Sequence, residues 1–378
     1  MDMKEIRQKI DSLDDTIKAA FEERMELCAN MAAYKKANGL PVFHPARERE
    51  IVARLTADMD DSMATYTKVL YNTLFEVSRS LQSKRIYEGG KLSETIKSAA
   101  QHTAPTLPTT CTVACQGTEG ANSQHAAEKL FSIPSIMFMT NFEDVFSAVA
   151  TGLCRYGILP ISNNLRGSVT EVYDLMKKHK FYIVKSIKLR VEHALIAKKG
   201  AKLENIKEVF SHPQAIGQCS AYLKELGVKV TECANTAVAA RMVADSGRDD
   251  VAAICNPACA SLYNLSVVAE GIANSDNNYT RFICISKELE IYPGANKTSI
   301  MFTLPHVPGS LFSIIAKFAA LGVNFSKIES RPIPGKDFEY MFYLDFDAPL
   351  EAEGLLETLD VFDAEYEGGT FLGCYSEI

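Results

Sequence analysis

Charged and amide side chains recur at helical spacing in the first ninety residues. Arg24 and Lys35 are eleven positions apart, which is three helical turns, so they lie on one face of a helix. Arg7 lies about 100° around the same helix from these two cations. Arg47 and Glu48 form an adjacent cation–carboxylate pair, and the hydroxyl of Ser78 and the amide of Gln82 are four positions apart. Such a set suits a dianionic ligand that carries a hydroxyl group. The alternative is a solvated polar face with ordinary ion pairs.

A second group of polar strings follows predicted strands in the middle of the chain. The strings are Gly117-Thr118-Glu119-Gly120-Ala121-Asn122-Ser123, Ser211-His212-Pro213-Gln214-Ala215, Asn235-Thr236-Ala237 and Thr280-Arg281-Phe282. Three of them stand where strands end or helices begin, so caps and turns would explain them. Alternatively, several helix N-termini converge on a cleft, where their N–H groups would bind a carboxylate-rich ligand.

The N-terminal residues are predicted to form long helices. Ile6, Ile10, Leu13 and Ile17 step by four, three and four positions, and Asn38-Gly39 supplies a stop. The resulting helix is about 50 Å long and cannot bury its apolar stripe within ninety residues, so we expect a partner chain. A second helix is predicted from Pro45 and a third over 62–87. The third is expected to face inward through Val69, Leu70, Leu74, Val77 and Leu81.

After a predicted linker at 89–109, the hydrophobic pattern changes. Short apolar runs alternate with helical stretches of ten to fifteen residues, which predicts an α/β fold with a mainly parallel sheet. The extended stretch 181–198 is either a pair of strands or a crossing between two lobes. The last eighty residues follow the order β-α-β-β-α-β, a ferredoxin-like motif. Strands are expected there at 299–304, 323–331, 339–347 and 366–375, and helices at 310–321 and 349–359.

Composition excludes several classes of protein. The chain has 378 residues, 47% of them hydrophobic and 23% charged, with a formal net charge of -7, which argues against nucleic-acid binding. No run of 18 apolar residues predicts a membrane span, and charges at Met1–Arg7 argue against a signal peptide. We therefore expect a cytoplasmic protein whose ten cysteines are reduced. Their spacing suggests no metal site.

The first 88 residues resemble the all-helical chorismate mutases. The resemblance is carried by Ile6-Arg7-x-x-Ile10-Asp11-x-Leu13-Asp14, Glu23-Arg24-x-x-Leu27, Lys35, Arg47-Glu48-Arg49-Glu50 and Ser78-Arg79-x-x-Gln82. It implies that Arg7, Arg24 and Arg47 hold the two carboxylates of chorismate, with Arg7 reaching into a partner subunit's site. Lys35 and Gln82 would donate to the ether oxygen, Glu48 would bind the ring hydroxyl, and Ser78 a carboxylate. His44 departs from the pattern, because several relatives carry Asp there.

Residues 110–288 resemble the two-lobed catalytic domain of prephenate dehydratases, an architecture shared with periplasmic binding proteins. The strings above carry the resemblance, together with Gly157-Ile158-Leu159-Pro160-Ile161-x-Asn163, Gly167-Ser168-Val169 and Gln218-Cys219. It implies that Thr280 lies at the hydroxyl that leaves prephenate. Asn163, Ser211, Gln218 and Thr236 would bind and orient the substrate, and Arg281 would bind a carboxylate or brace the site. Two positions depart from the family: Ser162 replaces Glu, and Asn122 replaces an aromatic residue.

The C-terminal strings Pro308-Gly309-Ser310-Leu311 and Glu329-Ser330-Arg331-Pro332 resemble an ACT domain. The resemblance implies that phenylalanine binds there between paired domains, at Gly309, Ser310, Leu311, Glu329, Ser330 and Arg331. Residues 297–378 are acidic, with 13 Asp and Glu against 5 Lys and Arg, and are predicted to be regulatory.

Taken over the whole chain, the resemblance is to the bifunctional chorismate mutase/prephenate dehydratases. It predicts an all-α domain at 1–88, a linker at 89–109, an α/β dehydratase domain at 110–288 and an α+β ACT domain at 297–378. It implies a homo-oligomer, a dimer or tetramer, without metal or organic cofactor. Two alternatives stay open: a preference for arogenate, and a non-catalytic two-lobed amino-acid sensor.

Overall fold

The computed structural model describes residues 2–378 apart from 88, 305, 308, 320, 334, 336–338 and 367. The chain forms two compact units, each of which joins distant parts of the sequence. One unit contains residues 1–98 and 300–371, and the other contains residues 99–299 and 372–378.

Long helices form the N-terminal part of the first unit. They are α1 (Met3–Asn38), α2 (Pro45–Thr56) and α3 (Asp61–Tyr87). Asp2 and Glu5 form a reciprocal capping box at the start of α1, and Gly39 ends it in the left-handed conformation, with φ of 62°. The predicted helices and the Asn38-Gly39 stop are therefore confirmed.

The apolar stripe of α1 is exposed in the single chain. Ile10, Leu13 and Ile17 have half or more of their surface accessible, at 50%, 61% and 64%. The prediction that Val69, Leu70 and Val77 of α3 face inward is wrong for this chain, because all three are exposed. The buried face of α3 instead contains Ala64, Phe75, Glu76, Ser78, Gln82 and Ser83. Periodicity identified an apolar face, but it could not tell whether that face packs within the chain.

A helix lies within the stretch predicted as a linker. Helix α4 covers Lys91–His102, and its Ile96 is fully buried. The backbone N–H groups of Gly90 and Ser93 donate to the Asp360 carboxylate, at 3.0 and 2.8 Å. The flanking glycines and prolines had suggested irregular structure, whereas the stretch between them is an amphipathic helix anchored by a carboxylate.

The C-terminal part follows the predicted β-α-β-β-α-β order. Its elements are β12 (Lys297–Leu304), α12 (Ser310–Ala319), β13 (Asn324–Pro332), β14 (Tyr340–Asp347), α13 (Leu355–Glu365) and β15 (Thr370–Tyr375). In the described residues the strand order is β13-β14-β12-β15. The second helix begins at Leu355, later than the predicted Pro349, because Gly354 precedes it in the left-handed conformation, with φ of 76°. The last strand correspondingly begins later than the predicted residue 366.

The second unit contains two sheets. Its elements in chain order are β1 (Thr110–Gln116), α5 (Asn122–Leu130), β2 (Ile133–Met139), α6 (Phe142–Ala150), β3 (Tyr156–Asn163), β4 (Gly167–Ser168), α7 (Thr170–His179), β5 (Tyr182–Arg190), β6 (Ala194–Ala197), β7 (Glu208–Ser211), α8 (Pro213–Gln218), α9 (Ser220–Leu226), β8 (Lys229–Glu232), α10 (Thr236–Asp245), β9 (Val251–Cys255), α11 (Ala258–Leu262), β10 (Ser266–Ala269) and β11 (Tyr279–Ser286). One sheet has the order β2-β1-β3-β11-β5, with β4 beside β3. The other has the order β10-β6-β9-β7-β8.

The expectation of a mainly parallel sheet is wrong, because both sheets are mixed. Strand β11 is antiparallel to β3 and β5, and β6 is antiparallel to β9 and β10. The cause is that the chain passes between the sheets twice. It leaves the first sheet after β5 and enters the second at β6, so the extended stretch 181–198 is one strand in each lobe joined by a crossing. It returns after β10 to form β11.

Candidate active sites

Helices α1 and α3 bring a cation and a hydroxyl of the predicted set together. The Arg24 guanidinium donates to Ser78 Oγ and, at 3.4 Å, to the Leu74 carbonyl. Ser78 is buried, with 4% of its surface exposed. The two residues are 54 positions apart in sequence, and their contact brings two of the four predicted carboxylate-binding residues together.

Lys35 and Gln82 meet further along the same helices. Lys35 Nζ donates to Gln82 Oε1 at 2.9 Å and to the Val42 carbonyl at 2.6 Å. Gln82 is 5% exposed and its amide donates to the Ser78 carbonyl at 3.2 Å. Burial lowers the pKa of Lys35, although the charges of Cys28 and Glu48 oppose the shift. The two side chains predicted to act on one substrate oxygen therefore do end at a common point.

Glu48 is held by a residue to which the sequence analysis gave no role. Arg79 of α3 pairs with the Glu48 carboxylate on α2 and with Glu76 on its own helix. The Arg79 guanidinium also lies over the Phe43 ring, 4.8 Å from its centroid. Burial opposes the charge on Arg79, but the two carboxylates outweigh it and raise its pKa. Arg79 stands in the Ser78-Arg79-x-x-Gln82 string, so its position next to Ser78 was the available signal.

The remaining members of the set lie apart from this cluster. Arg47 is exposed and pairs with Glu50, Nη1 to Oε1, at 2.8 Å. Arg7 and Lys35 are 28 residues apart on α1, about 42 Å along the axis, so Arg7 cannot reach the Lys35 site of its own chain. His44, the departure from the family pattern, caps α2: its Nδ1 accepts from the Arg47 N–H at 3.2 Å.

Asn163 organises the polar groups of the second unit. Its amide donates to Asn278 Oδ1 at 2.8 Å and to Thr280 Oγ1 at 3.0 Å. Its own oxygen accepts from the backbone N–H groups of Leu165 and Arg166, both at 3.0 Å. Strands β3 and β11 pair Asn163 directly opposite Thr280. Because Thr280 accepts from Asn163, its hydroxyl proton is available for another acceptor.

Gln218 contacts a histidine that sequence reasoning missed. His193 Nε2 and Gln218 Oε1 are 2.7 Å apart, and His193 is 7% exposed. Burial lowers the pKa of His193, and the Gln218 hydrogen bond opposes the shift. The other ring nitrogen, Nδ1, is buried without a hydrogen-bond partner among the described residues, as is Asn278 Nδ2. His193 and Asn278 each lie on a segment that crosses between the lobes, and that location was the signal available in the sequence.

Two predicted substrate-binding side chains are turned elsewhere. Ser211 is fully buried and donates to the Ile254 carbonyl at 2.7 Å, so it joins β7 to β9. Arg281 pairs with Glu377, Nε to Oε2, at 2.6 Å and donates to the Tyr375 hydroxyl at 2.7 Å. Its contacts favour the bracing role over substrate binding. Both contacts depend on side-chain direction, which a motif does not specify, and the substrate-binding roles of Ser211 and Arg281 stay predictions.

The other predicted positions of this unit lie at helix starts. Thr236 is the first residue of α10, where the Asn235 side chain caps the Val238 N–H at 2.7 Å. Asn122 begins α5 and accepts from Asn256 of the other lobe at 3.4 Å. Ser162 lies opposite Arg281 in the β3–β11 pairing.

The predicted effector residues lie at one helix start and on an edge strand. Gly309 has φ of 92° and precedes Ser310 and Leu311 in the first turn of α12. Glu329, Ser330 and Arg331 are in β13, where exposed and half-buried residues alternate. Lys327 pairs with Glu329 at 3.0 Å. Pro308 of the predicted string lies outside the described residues.

The described residues contain neither a metal-binding cluster nor a membrane-spanning helix. No three His, Cys, Asp or Glu side chains there are grouped so that they could hold a metal ion. No helix in that part of the chain has the length and apolar character to cross a membrane.

The helical cluster of α1, α2 and α3 and the two-lobed α/β part each correspond to an enzyme domain in comparisons with known proteins. Residues 6–83 match the family model of chorismate mutase type II, and residues 113–290 match that of prephenate dehydratase. The Escherichia coli (strain K12) bifunctional chorismate mutase/prephenate dehydratase is 29% identical over 98% of this chain and 95% of its own. The chloroplastic arogenate dehydratase/prephenate dehydratase 2 of Arabidopsis thaliana is 38% identical over 73% of this chain and 75% of its own.

A solved structure gives the same result for the dehydratase part. Prephenate dehydratase from Arthrobacter aurescens, in complex with L-Phe, is 28% identical with a TM-score of 0.64, and the match covers 70% of this chain and 89% of that one. The chain therefore belongs to the bifunctional chorismate mutase/prephenate dehydratase family. It rearranges chorismate to prephenate, and it decarboxylates and dehydrates prephenate to phenylpyruvate.

Proposed function

We propose that the mutase reaction uses the cluster of α1, α2 and α3. The rearrangement is pericyclic, so the protein supplies a compact substrate conformation and stabilises charge on the breaking ether bond. Arg24, Arg47 and Ser78 bind carboxylates, Glu48 binds the ring hydroxyl, and Lys35 and Gln82 act at the ether oxygen. The 2.9 Å contact between Lys35 Nζ and Gln82 Oε1 supports this assignment, because both side chains end at one point.

The mutase site is completed by a second copy of the chain. Arg7 lies about 42 Å along α1 from Lys35, and the apolar stripe between them is exposed. Antiparallel packing of two α1 helices would cover both stripes and bring each Arg7 to the partner's Lys35. The proposal therefore includes at least a dimer. Sedimentation of the purified chain tests it, and a monomer at micromolar concentration with full mutase activity would contradict it.

The dehydratase reaction depends on Thr280. Aromatisation drives loss of carbon dioxide, and the protein assists the departing hydroxide with a hydrogen-bond donor. The 3.0 Å hydrogen bond in which Thr280 Oγ1 accepts from the Asn163 amide supports this role. It directs the Thr280 hydroxyl proton towards another group. Gln218 and Thr236 bind the substrate beside it, and Asn163 keeps Thr280 in place.

Arogenate is a second candidate substrate of the dehydratase. The supporting observation is the 38% identity with a relative named as both arogenate and prephenate dehydratase. Supplying chorismate, prephenate and arogenate separately to the purified chain tests both assignments. Turnover of the first two supports the bifunctional assignment. Faster turnover of arogenate supports the second candidate, and binding without any turnover favours a non-catalytic sensor.

The C-terminal β-α-β-β-α-β part is an ACT domain that binds phenylalanine and inhibits the dehydratase. The backbone N–H groups near Gly309 and Ser310 would bind its carboxylate, while Leu311, Glu329, Ser330 and Arg331 would surround the rest. The L-Phe complex of the similar Arthrobacter enzyme supports the choice of ligand. Phe312 and Ile328 are each half exposed, so a second copy could cover them.

The protein is proposed to be cytoplasmic. All ten cysteines lie in described residues and none of them forms a disulfide, as expected in a reducing compartment. Fractionation of the source cells tests the location.

A further inference from the structure

The last residues of the chain lie along the edge of the dehydratase sheet. Strand β5 is the edge strand, and its Ser186 N–H donates to the Ser376 carbonyl at 3.1 Å. The Ile378 N–H donates to the Ser186 carbonyl at 3.0 Å, and the Lys188 N–H donates to the Ile378 carbonyl at 2.8 Å. These bonds extend the sheet by a short parallel segment and fix the position of residue 377 between them.

Gly373 permits the close approach of this segment to β5. Its φ is 142°, and a Cβ atom added there would lie 2.2 Å from the Ile183 carbonyl oxygen. That distance is far below van der Waals contact with a backbone atom. The path of residues 372–378 is therefore set by the backbone of the dehydratase sheet.

The Glu377 carboxylate lies among several donors of this unit. Its oxygens are 2.6 Å from Arg281 Nε and 2.7 Å from Lys188 Nζ, and Ser186 Oγ donates to it at 3.1 Å. Lys297 Nζ is 4.0 Å away. The side chains of Glu377 and Arg281 are 13% and 11% exposed. An ion pair this buried leaves a costly unpaired charge when one partner is removed.

Arg281 connects this cluster to the reaction. It follows Thr280 on β11, and the register with β3 shifts between Arg281 and Phe282. Adjacent residues of a strand point to opposite faces, so Arg281 faces Glu377 while Thr280 faces Asn163. An irregular register leaves the strand with fewer constraints from its neighbour. The Glu377 contact supplies a constraint at this point.

We propose that Glu377 is a positioning residue of the dehydratase reaction, which holds Arg281 and thereby fixes the Thr280 hydroxyl. This inference rests on the proposed role of Thr280. It assigns a function in the dehydratase site to a residue that follows the C-terminal sheet in sequence. It also explains why Arg281, although next to Thr280, has its side chain engaged away from the substrate groups.

The test compares three variants of the full chain. Glu377→Gln keeps the size of the side chain and removes its charge. We expect its dehydratase kcat to fall about tenfold or more while KM for prephenate and the mutase rate stay near those of the wild type. Glu377→Asp, which keeps the charge, should recover part of the loss. Asp245→Asn is the matched control, because that carboxylate is 73% exposed and pairs with Arg241 one turn earlier on α10. The dehydratase kcat of this variant should be unchanged.

A double variant shows whether Glu377 acts through Arg281. If it does, Arg281→Gln and Arg281→Gln/Glu377→Gln should have the same dehydratase kcat, because the second change removes nothing further. The inference is overturned if Glu377→Gln retains the wild-type kcat, or if the two single losses multiply in the double variant. It is also overturned if mutase and dehydratase rates fall together with the unfolding temperature.

Tyr375→Phe provides the same test if Glu377→Gln does not fold. It removes the hydroxyl that accepts from Arg281 and lies 2.6 Å from Ser299 Oγ. A severalfold loss of dehydratase kcat supports the inference that holding Arg281 fixes Thr280, whereas wild-type kcat overturns it. Thr280→Ala separates this inference from the proposed function. If that variant is fully active, the role of Thr280 is wrong; if it is inactive while Glu377→Gln and Tyr375→Phe are normal, only the role of Glu377 is wrong.

Discussion

Arg79 on α3 joins the Glu48 carboxylate on α2 to the Glu76 carboxylate on its own helix. The three side chains are mostly buried, with exposures of 18%, 24% and 11%. Ser313 of α12 donates to the second oxygen of Glu76 at 2.7 Å. Glu48 is the carboxylate proposed to bind the ring hydroxyl. Its orientation thus depends on a hydrogen-bonded chain that runs from Glu48 through Arg79 and Glu76 to Ser313.

Replacing Arg79 should impair the mutase alone. In Arg79→Gln the Glu48 carboxylate loses its charged partner, so we expect kcat/KM for chorismate to fall by 10- to 100-fold, about 1.4–2.7 kcal/mol. Steady-state kinetics with chorismate and with prephenate measure both activities. Arg85→Gln, an exposed cation on the same helix, is the control. Unchanged mutase kinetics in Arg79→Gln would show that Glu48 needs no support.

Lys35 should contribute more to the mutase reaction than any acid–base group. The Lys35→Ala variant lacks the donor at the ether oxygen, and comparable losses of oxyanion donors cost about 3 kcal/mol. Chorismate consumption should therefore slow by at least 10²-fold, while turnover of supplied prephenate continues. Lys36→Ala, next to it on α1, controls for the loss of a charge. Equal rates in Lys35→Ala and the wild type would exclude the proposed role.

Thr280→Ala should block the second reaction. Loss of the donor to the departing hydroxide is expected to lower dehydratase kcat by about 10²-fold or more. Given chorismate, the variant should accumulate prephenate, which chromatography of quenched samples detects. Thr280→Ser retains the hydroxyl and should keep substantial activity. Normal formation of phenylpyruvate by Thr280→Ala would remove Thr280 from the mechanism.

The buried His193 should make the second unit less stable at acid pH. Its pKa in the folded chain is lowered from the ordinary value of 6.5 by burial, with the Gln218 hydrogen bond opposing. Between the lowered pKa of the folded chain and the ordinary pKa of the unfolded chain, the unfolded chain binds a proton that the folded chain does not. The free energy of unfolding therefore falls as pH decreases. Urea unfolding from pH 7.5 to 5 should show this loss in the wild type and a smaller one in His193→Asn. His125→Asn serves as a control, and identical pH slopes in all three would contradict the assignment.

Phenylalanine should inhibit the dehydratase, and tyrosine should do so weakly, because its buried phenol would lack a partner. The coupling free energy between phenylalanine binding and the dehydratase site is expected to be about 1–3 kcal/mol. Changing Glu329 and Ser330 to Ala should raise the half-inhibiting phenylalanine concentration at least tenfold, measured against the rate without phenylalanine. Glu351→Ala, an exposed carboxylate of the same part, is the control. The sensing role is wrong if calorimetry detects no phenylalanine binding to the wild type at millimolar concentration.

The sequence predicted element types better than side-chain environments. Periodicity and caps placed α1 and its end at Gly39, and the β-α-β-β-α-β order of the last eighty residues, because these depend on local chemistry. It missed the mixed sheets, since antiparallel pairing of β11 depends on a chain reversal across the lobes. It could not predict the contacts of Ser211 with Ile254 or of Arg281 with Glu377, because these partners are distant in sequence. Arg79 and His193 were overlooked for the same reason.

The first compact unit combines the N-terminal residues 1–98 with the late segment 300–371, and this has a consequence for synthesis on the ribosome. Residues 1–98 emerge first, but residues 300–371 of the same unit emerge only after the intervening dehydratase sequence. Until then Glu76 lacks Ser313, and the backbone at Gly90 and Ser93 lacks Asp360. Domains generally fold in order from the N-terminus during translation. In this chain the face of α3 that packs against α12 and α13 therefore stays uncovered until residues 300–371 have been synthesised.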